Sequence, residues 1–304
     1  MNKLNIDTIY STLTKGIGDV RRNESMANHT SFRVGGCADI MAVPTSVDEI
    51  AHAAKIAHQY GCPMFVIGKG TNLLVTSKGI RGIVLKVGDN FAGLGFDGQF
   101  VTAKSGTSLA SLVREAMTRS LGGIAYLGGI PGTVGGAVTM NAGAYGGEIG
   151  DVVREVYLVS HVGEVTLTQD EMAFGYRRSL LTTMPFIVTG AKLRLKESRQ
   201  DEIKARMAEY AEKRRSKQPL EHPSAGSTFK RPEGHYAGAL IEQAGLKGFS
   251  IGGAQVSEKH AGFVINTGGA TPDDIIALIK EVQRRVKAHS GVTMETEVKI
   301  IGER

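Results

Sequence analysis

The chain has 304 residues, 41% hydrophobic and 22% charged, with a formal net charge of +6. This composition excludes a disordered or fibrous chain and allows two or three domains with cores of their own. No apolar run reaches the ~20 residues of a membrane-spanning helix, and the two cysteines, Cys37 and Cys62, form neither a metal-ligand spacing nor a disulfide framework.

Met1–Asp7 has no apolar h-region, so no secretory signal is expected and a reducing, cytoplasmic setting follows. The first ~25 residues read as a helical start followed by a polar turn. Ala38–Val43 reads as a short strand ended by Pro44. Ser46-Val-Asp-Glu49 is a capping box that opens a helix with Ile50, Ala53, Ala54 and Ala57 at helical spacing, stopped by Gly61 and Pro63. Met64–Ile67 is short and apolar enough for a strand buried on both faces, and it runs into Gly68-Lys-Gly-Thr-Asn-Leu-Leu-Val75. Ile83–Val87 and Phe100–Ala103 are further strands. Thr107 or Ser108 caps a helix with the apolar stripe Leu109, Leu112, Val113, Ala116 and Met117, ended by Gly122-Gly123.

Tyr126–Gly147 follows, dense in glycine and almost free of charge, with Ile130, Val134, Val138 and Met140 interleaved. A flexible linker lacks such core residues. Glycine beside them means backbone that packs closely or adopts φ/ψ values other residues avoid, and bare N–H groups can point at an anionic ligand. The stretch is read as the floor of a large cofactor site, or else as tight turns between strands.

Strands return at Val152–Val159, Glu164–Leu167 and Phe186–Thr189. Arg199–Lys217 is a long, charged, solvated helix crossing between domains. A smaller unit follows, with a helix at Ala237–Ala244 and a strand at Gly262–Asn266. Thr271-Pro-Asp-Asp274 is a helix start with Pro at N1 and acids in the first turn; Ile275, Leu278, Ile279, Val282 and Val286 form that helix's buried face. Glu295–Ile301 alternates as a closing strand.

Gly68-Lys-Gly70 follows a strand, yet Leu73 stands where a Rossmann loop needs its third glycine. The turn is phosphate-cradling or plain. Tyr176-Arg177-Arg178 offers the planar fork that binds carboxylate or phosphate, or lies idle on the surface. Ser227 is outside a nucleophile elbow; it is structural, or a proton donor if neighbouring charge makes it acidic enough. Glu295 and Glu297 share one strand face, solvated or facing a site. The basic residues are spread along the chain apart from Lys213–Lys217, which favours small anionic ligands over nucleic acid.

Six segments occur in a fixed order: Gly68–Leu74, Gly128–Gly147, Tyr176–Ser179, Lys217-Gln-Pro219, Gly226–Pro232 and Glu295–Val298. Together they resemble the UDP-N-acetylenolpyruvoylglucosamine reductase family of peptidoglycan synthesis, over nearly the whole chain. The resemblance implies an α+β fold: a p-cresol methylhydroxylase-like FAD-binding region of two subdomains plus a C-terminal α+β substrate-binding domain. The division it implies is 1–62 (joined by the closing strand 292–304), 63–197 and 198–291. It implies noncovalent FAD held by Gly68, Lys69, Gly70, Thr71, Asn72, Leu73, Gly129, Pro131, Gly132, Gly135, Gly136, Asn141 and Gly143. NADPH would be the hydride donor and UDP-N-acetylglucosamine enolpyruvate the acceptor, with no nucleic acid, membrane, metal or protein partner. Arg177 and Glu297 would meet the substrate carboxylate and Ser227 would give the proton. Tyr176, Lys217, Lys230, Arg231 and Lys247 would contact substrate. Arg231 stands where some members carry Asn, and Thr71 replaces a commoner Ser. The short Tyr176–Ser227 interval implies the subclass lacking a tyrosine-bearing lid. Two other readings are a flavin oxidase of an alcohol or hydroxy acid on the same fold, and a basic nucleic-acid-binding protein.

Overall fold

Ser46 begins the first long helix by the rule its sequence predicts: its side chain accepts the Glu49 N–H at 3.2 Å. The Glu49 carboxylate reaches one residue further back than a capping box requires, taking the Thr45 N–H at 2.5 Å. The helix Val47–Gln59 then buries Ile50, Ala53, Ala54, Ile56 and Ala57. These elements belong to a computed structural model that describes residues 5–303. Residues 1–4 of the Met1–Asp7 stretch lie outside the described residues.

The chain divides into two units that exchange segments. The first takes the chain up to Arg22, Asp39–Lys69 and Gly82–Glu212; the second takes Asn23–Ala38, Gly70–Arg81 and the chain from Lys213 onward. The closing residues 292–304 therefore group with the second unit, where the sequence reading joins them to residues 1–62.

A four-stranded sheet ordered Val20–Ser25, Cys37–Ala42, Ile80–Lys86, Met64–Ile67 has most of its residues in the first unit. Two outcomes here differ from expectation. Met64–Ile67 is an edge strand, paired in parallel on one side only, so Val66 is 45% exposed instead of buried. Val20–Ser25, read as a polar turn, is the opposite edge; its exposed Arg21, Arg22 and Asn23 suit an edge that must resist pairing with other chains. A five-stranded antiparallel sheet runs Gly163–Thr168, Val153–Ser160, Ile187–Arg194, Phe100–Lys104, Leu94–Asp97. Against it pack Leu109, Leu112, Val113 and Ala116 of the helix Leu109–Thr118, capped by Ser108 as expected. The glycine-rich stretch is more than turns between strands, although Gly143–Ala144 does pair with Gly147–Glu148 in a two-residue hairpin. The stretch contains the helix Val134–Met140, capped by Thr133 and closed by Asn141 in the left-handed conformation. Glycines at 135 and 136 each weaken a helix by about 1 kcal/mol relative to alanine, which hid this element from propensity.

In the helix Gln200–Lys217 only Ile203 is buried, the solvated pattern its charges predict. The second unit has a sheet ordered Ser224–Ser227, Phe263–Asn266, Ala254–Val256, Ser250–Ile251. The helix Pro272–Ser290 packs on it through Ile275, Leu278, Ile279, Val282 and Val286, the face read from spacing. The closing strand is shorter than the alternation predicts. Only Lys299–Ile301 pairs, in parallel with Leu73–Val75; Glu295–Val298 lead in through an isolated bridge between Phe229 and Thr296.

Thr271 and Asp274 cap each other across the first turn of Pro272–Ser290, at 3.1 and 2.9 Å. Thr271→Ala should therefore lower stability by about 1 kcal/mol in urea unfolding while Thr271→Ser stays near wild type. Equal losses in both variants would show that the hydroxyl is not the cap.

Candidate functional site

In the first unit, turns that leave the carboxyl ends of strands gather on the glycine-rich stretch. Gly68 follows Met64–Ile67, and a Cβ there would lie 2.5 Å from Thr133 Oγ1. Ser105 and Thr107 follow Phe100–Lys104; their carbonyls accept the N–H groups of Gly135 and Val134 at 2.8 and 2.9 Å. The Gly132 carbonyl accepts the Leu109 N–H at 3.1 Å. The turn read as phosphate-cradling and the stretch read as a cofactor floor are thus brought together at Gly68 and Thr133. Gly129, Pro131 and Gly136 remain exposed along this backbone, and Gly132, Gly135 and Gly143 are half-buried. Lys69 lies at the surface, 3.7 Å from Asp89.

The Tyr-Arg motif is pinned to the same stretch. Gly175 and Arg178 exchange both backbone hydrogen bonds, at 3.0 and 3.1 Å, so Tyr176 and Arg177 form the tip of a tight turn. Arg177 sits at φ +55°, a conformation of the kind a non-glycine residue holds only when its surroundings over-determine it. Its Nη2 donates to Gly143 O at 3.2 Å, and its guanidinium lies 5.1 Å from the centre of the Tyr176 ring. Asn141 braces the turn: its amide donates to Gly175 O at 3.1 Å and to Glu148 at 2.7 Å, and accepts the Gly150 N–H at 3.0 Å. The Asn141 side chain, expected to meet the cofactor, is thereby engaged within the chain. Ser179 Oγ donates to Thr139 O at 2.8 Å. Tyr126 donates to Glu148 O at 2.7 Å, and burial first, then the charges of Asp151 and Glu148, push its phenol well above the usual range. Sequence reasoning missed Tyr145, whose ring stacks on Tyr210 with centroids 4.4 Å apart. An aromatic residue inside an otherwise glycine-rich stretch was the available signal.

In the second unit, Gly70 has φ +63° and leaves no room for a side chain: a Cβ would come within 1.8 Å of His29 O. Thr71, Asn72 and Leu73 are half-buried. Asn72 donates to Glu297 O at 3.2 Å, and its own carbonyl accepts the Lys299 N–H at 3.0 Å. Ser227 is exposed at the end of its strand, paired with Phe263. Buried Thr228 links it to Glu297, because Thr228 O accepts the Glu297 N–H at 2.8 Å. Ser227 and Glu297 are therefore brought together through one residue. The two glutamates diverge: Glu295 is held by Lys230 at 2.7 Å, a hydrogen bond that lowers its carboxyl pKa. Arg231 lies over Tyr236, 4.0 Å from its ring centre, and Lys247 pairs with Glu242 at 3.0 Å. Lys217 is exposed at the end of its helix. His260 went unread in the sequence. It packs edge-on against Phe263 and accepts the Gly262 N–H. Burial chiefly, with the charges of Lys247 and Lys217 adding, holds its imidazole below the usual range.

Residues 218–301 match the family model described as UDP-N-acetylenolpyruvoylglucosamine reductase, C-terminal domain, and residues 38–169 match the FAD binding domain. A UDP-N-acetylenolpyruvoylglucosamine reductase of Caldanaerobacter subterraneus subsp. tengcongensis is 46% identical over 305 positions, covering 100% of both chains. The chain belongs to the UDP-N-acetylenolpyruvoylglucosamine reductase family. The family's crystal structure from Thermus caldophilus agrees with a TM-score of 0.79 at 34% identity, covering 93% of this chain and 98% of that one. At 17% identity and a TM-score of 0.50, the glucose dehydrogenase Phl p 4.0202 shares the fold over 62% of this chain and 44% of its own. The α+β, p-cresol methylhydroxylase-like fold read from the family resemblance is the fold observed.

Two outcomes test this geometry. Gly68→Ala and Thr133→Ala should each destabilise the protein, but the double variant should be milder than their sum by about 1 kcal/mol, because removing the Thr133 side chain frees the space the new methyl needs. Additive losses would mean that the two residues do not meet. For His260, the sign follows from its lowered pKa. The unfolded imidazole takes a proton as pH falls through its ordinary 6.5 while the folded one resists, so the associated stability is complete above that pH and is lost on acidification. NMR titration should find His260 below 6.5, and Lys217→Ala should raise it; no movement in the variant would remove Lys217 from the field.

Proposed function

We infer that the chain reduces UDP-N-acetylglucosamine enolpyruvate to UDP-N-acetylmuramate with FAD as resident cofactor and NADPH as hydride donor, a cytoplasmic step of peptidoglycan precursor synthesis. The observation that carries this reading is the convergence of the Gly68 and Ser105–Ser108 turns on a glycine-rich stretch that also anchors Arg177. Side-chain-free backbone at Gly129, Gly132, Gly135 and Gly136 lets a bulky diphosphate cofactor approach the stretch closely, while the Gly135 and Gly136 N–H groups are engaged within the chain. Gly68, Lys69, Pro131, Asn141 and Gly143 belong to the same cradle in this reading, and the family resemblance assigns Gly70, Thr71, Asn72 and Leu73 to the cofactor as well. Bound FAD supplies the hydride carrier that a nicotinamide can refill.

The residues do the rest. Hydride arriving at the terminal carbon of an enolpyruvyl group leaves negative charge on the neighbouring carbon, spread into the carboxylate. Arg177 offers a fixed cation for that charge, held before the substrate arrives by its bond to Gly143 O. Glu297 orients the same end of the substrate. Ser227 delivers the proton that quenches the charge. A serine hydroxyl is a weak acid, so a positive surrounding is needed. Ser227 is paired with Phe263 on the neighbouring strand, and His260 packs edge-on against the Phe263 ring. Tyr176, Lys217, Lys230, Arg231 and Lys247 hold the remainder of the nucleotide sugar in this reading.

The decisive measurement is an anaerobic visible spectrum. Flavin absorbance should bleach with NADPH and return on adding the enolpyruvyl sugar. Bleaching that ignores the sugar would keep the cofactor and overturn the substrate. Ser227→Ala should bind FAD and accept hydride from NADPH at the wild-type rate, yet reoxidise with the sugar slower by about 10²-fold or more. A wild-type reoxidation rate would remove Ser227 from the proton transfer.

A further inference from the structure

Buried hydroxyls around the glycine-rich stretch have partners within the chain. Thr107 Oγ1 donates to Gly93 O at 3.0 Å, Ser179 Oγ donates to Thr139 O at 2.8 Å, and Thr133 Oγ1 accepts the Gly136 N–H at 3.4 Å. Among the described residues Ser105 Oγ is the one deeply buried hydroxyl with no hydrogen-bond partner, in a residue 2% exposed. A hydroxyl in that condition carries the full cost of leaving water.

Its surroundings say what the partner is. The Ser105 N–H donates to Thr189 O at 2.9 Å and its carbonyl accepts the Gly135 N–H at 2.8 Å, so both backbone groups are engaged. Gly135 stands so close that a Cβ on it would lie 2.8 Å from Ser105 Cβ. The next residue, Gly106, is equally confined, since a Cβ there would lie 1.9 Å from Gly88 O. Ser105 is thus built into the wall where the turn after Phe100–Lys104 meets the glycine-rich stretch, the wall assigned above to the cofactor.

We propose that Ser105 Oγ donates a hydrogen bond to bound FAD, whose diphosphate and ring carbonyl oxygens provide the acceptor that the chain itself does not. The proposal rests on the FAD reading and adds a residue to it. It also accounts for a serine in a site where alanine would fill the same space without an unmet polar atom.

The test compares full-length wild type and Ser105→Ala, each loaded with FAD and stripped of it. Flavin fluorescence titration should show the dissociation constant for FAD raised about tenfold in the variant. The stripped variant should melt at the wild-type temperature or up to about 2 °C higher, because the methyl group leaves nothing unsatisfied. Equal FAD affinity in the two proteins would overturn the proposal. So would a stripped variant that melts clearly below wild type, since that would mean the hydroxyl has a partner inside the chain. Failure of wild type itself to bind FAD would instead overturn the cofactor reading, so the two failures are distinct.

Discussion

The first unit depends on positions where a side chain is not allowed. Gly68 against Thr133, Gly135 against Ser105 and Gly147 beneath the Tyr126 ring all stand where a Cβ would come within 2.8 Å of a neighbour. The first two contacts bring a turn onto the glycine-rich stretch, and the third closes the stretch on itself. Close packing therefore does two things at once. It seals the core of Leu109, Val134, Ala137, Val138 and Val153, and it leaves a strip of bare backbone at its edge. A larger residue at any of these positions separates the turns and removes both the seal and the strip.

The sequence displayed most of the helices because their signals are local. Ser46, Ser108 and Thr271 all cap where they were expected, and the buried stripe of Pro272–Ser290 is the one its spacing predicts. Edge strands were less legible. Whether Met64–Ile67 has one neighbour or two depends on distant pairing, and nothing within four residues records it. The helix Val134–Met140 was hidden for a different reason: its glycines answer to Ser105 and Thr133, so tertiary contact outweighs local preference. The candidate site was legible as a set of segments. Its internal braces were not, because the bonds of Asn141 to Glu148 and Gly175 connect loops that only the fold brings together.

The second unit uses one buried threonine as a spacer. Thr228 Oγ1 accepts the Val264 N–H at 3.0 Å, and its carbonyl accepts the Glu297 N–H at 2.8 Å. Ser227 and Glu297 are thus registered against each other by the sheet, with no direct bond between their side chains required. Lys230 meanwhile holds Glu295 at 2.7 Å.

Backbone strain completes the logic. Asn141, Tyr145 and Arg177 adopt φ of +45°, +54° and +55°, each at a cost of about 1–3 kcal/mol. All lie in or against the glycine-rich stretch, and the bonds of Asn141 are what hold two of them. Relaxing Arg177 to an ordinary conformation would swing its guanidinium off Gly143 O and break the Gly175–Arg178 turn. The strain thus fixes a cation in position before any ligand arrives. A charge that develops briefly during a reaction is stabilised most by a group that need not move to meet it. In the proposed reaction an arginine in a relaxed loop would have to be ordered in every turnover, whereas the fold orders Arg177 beforehand.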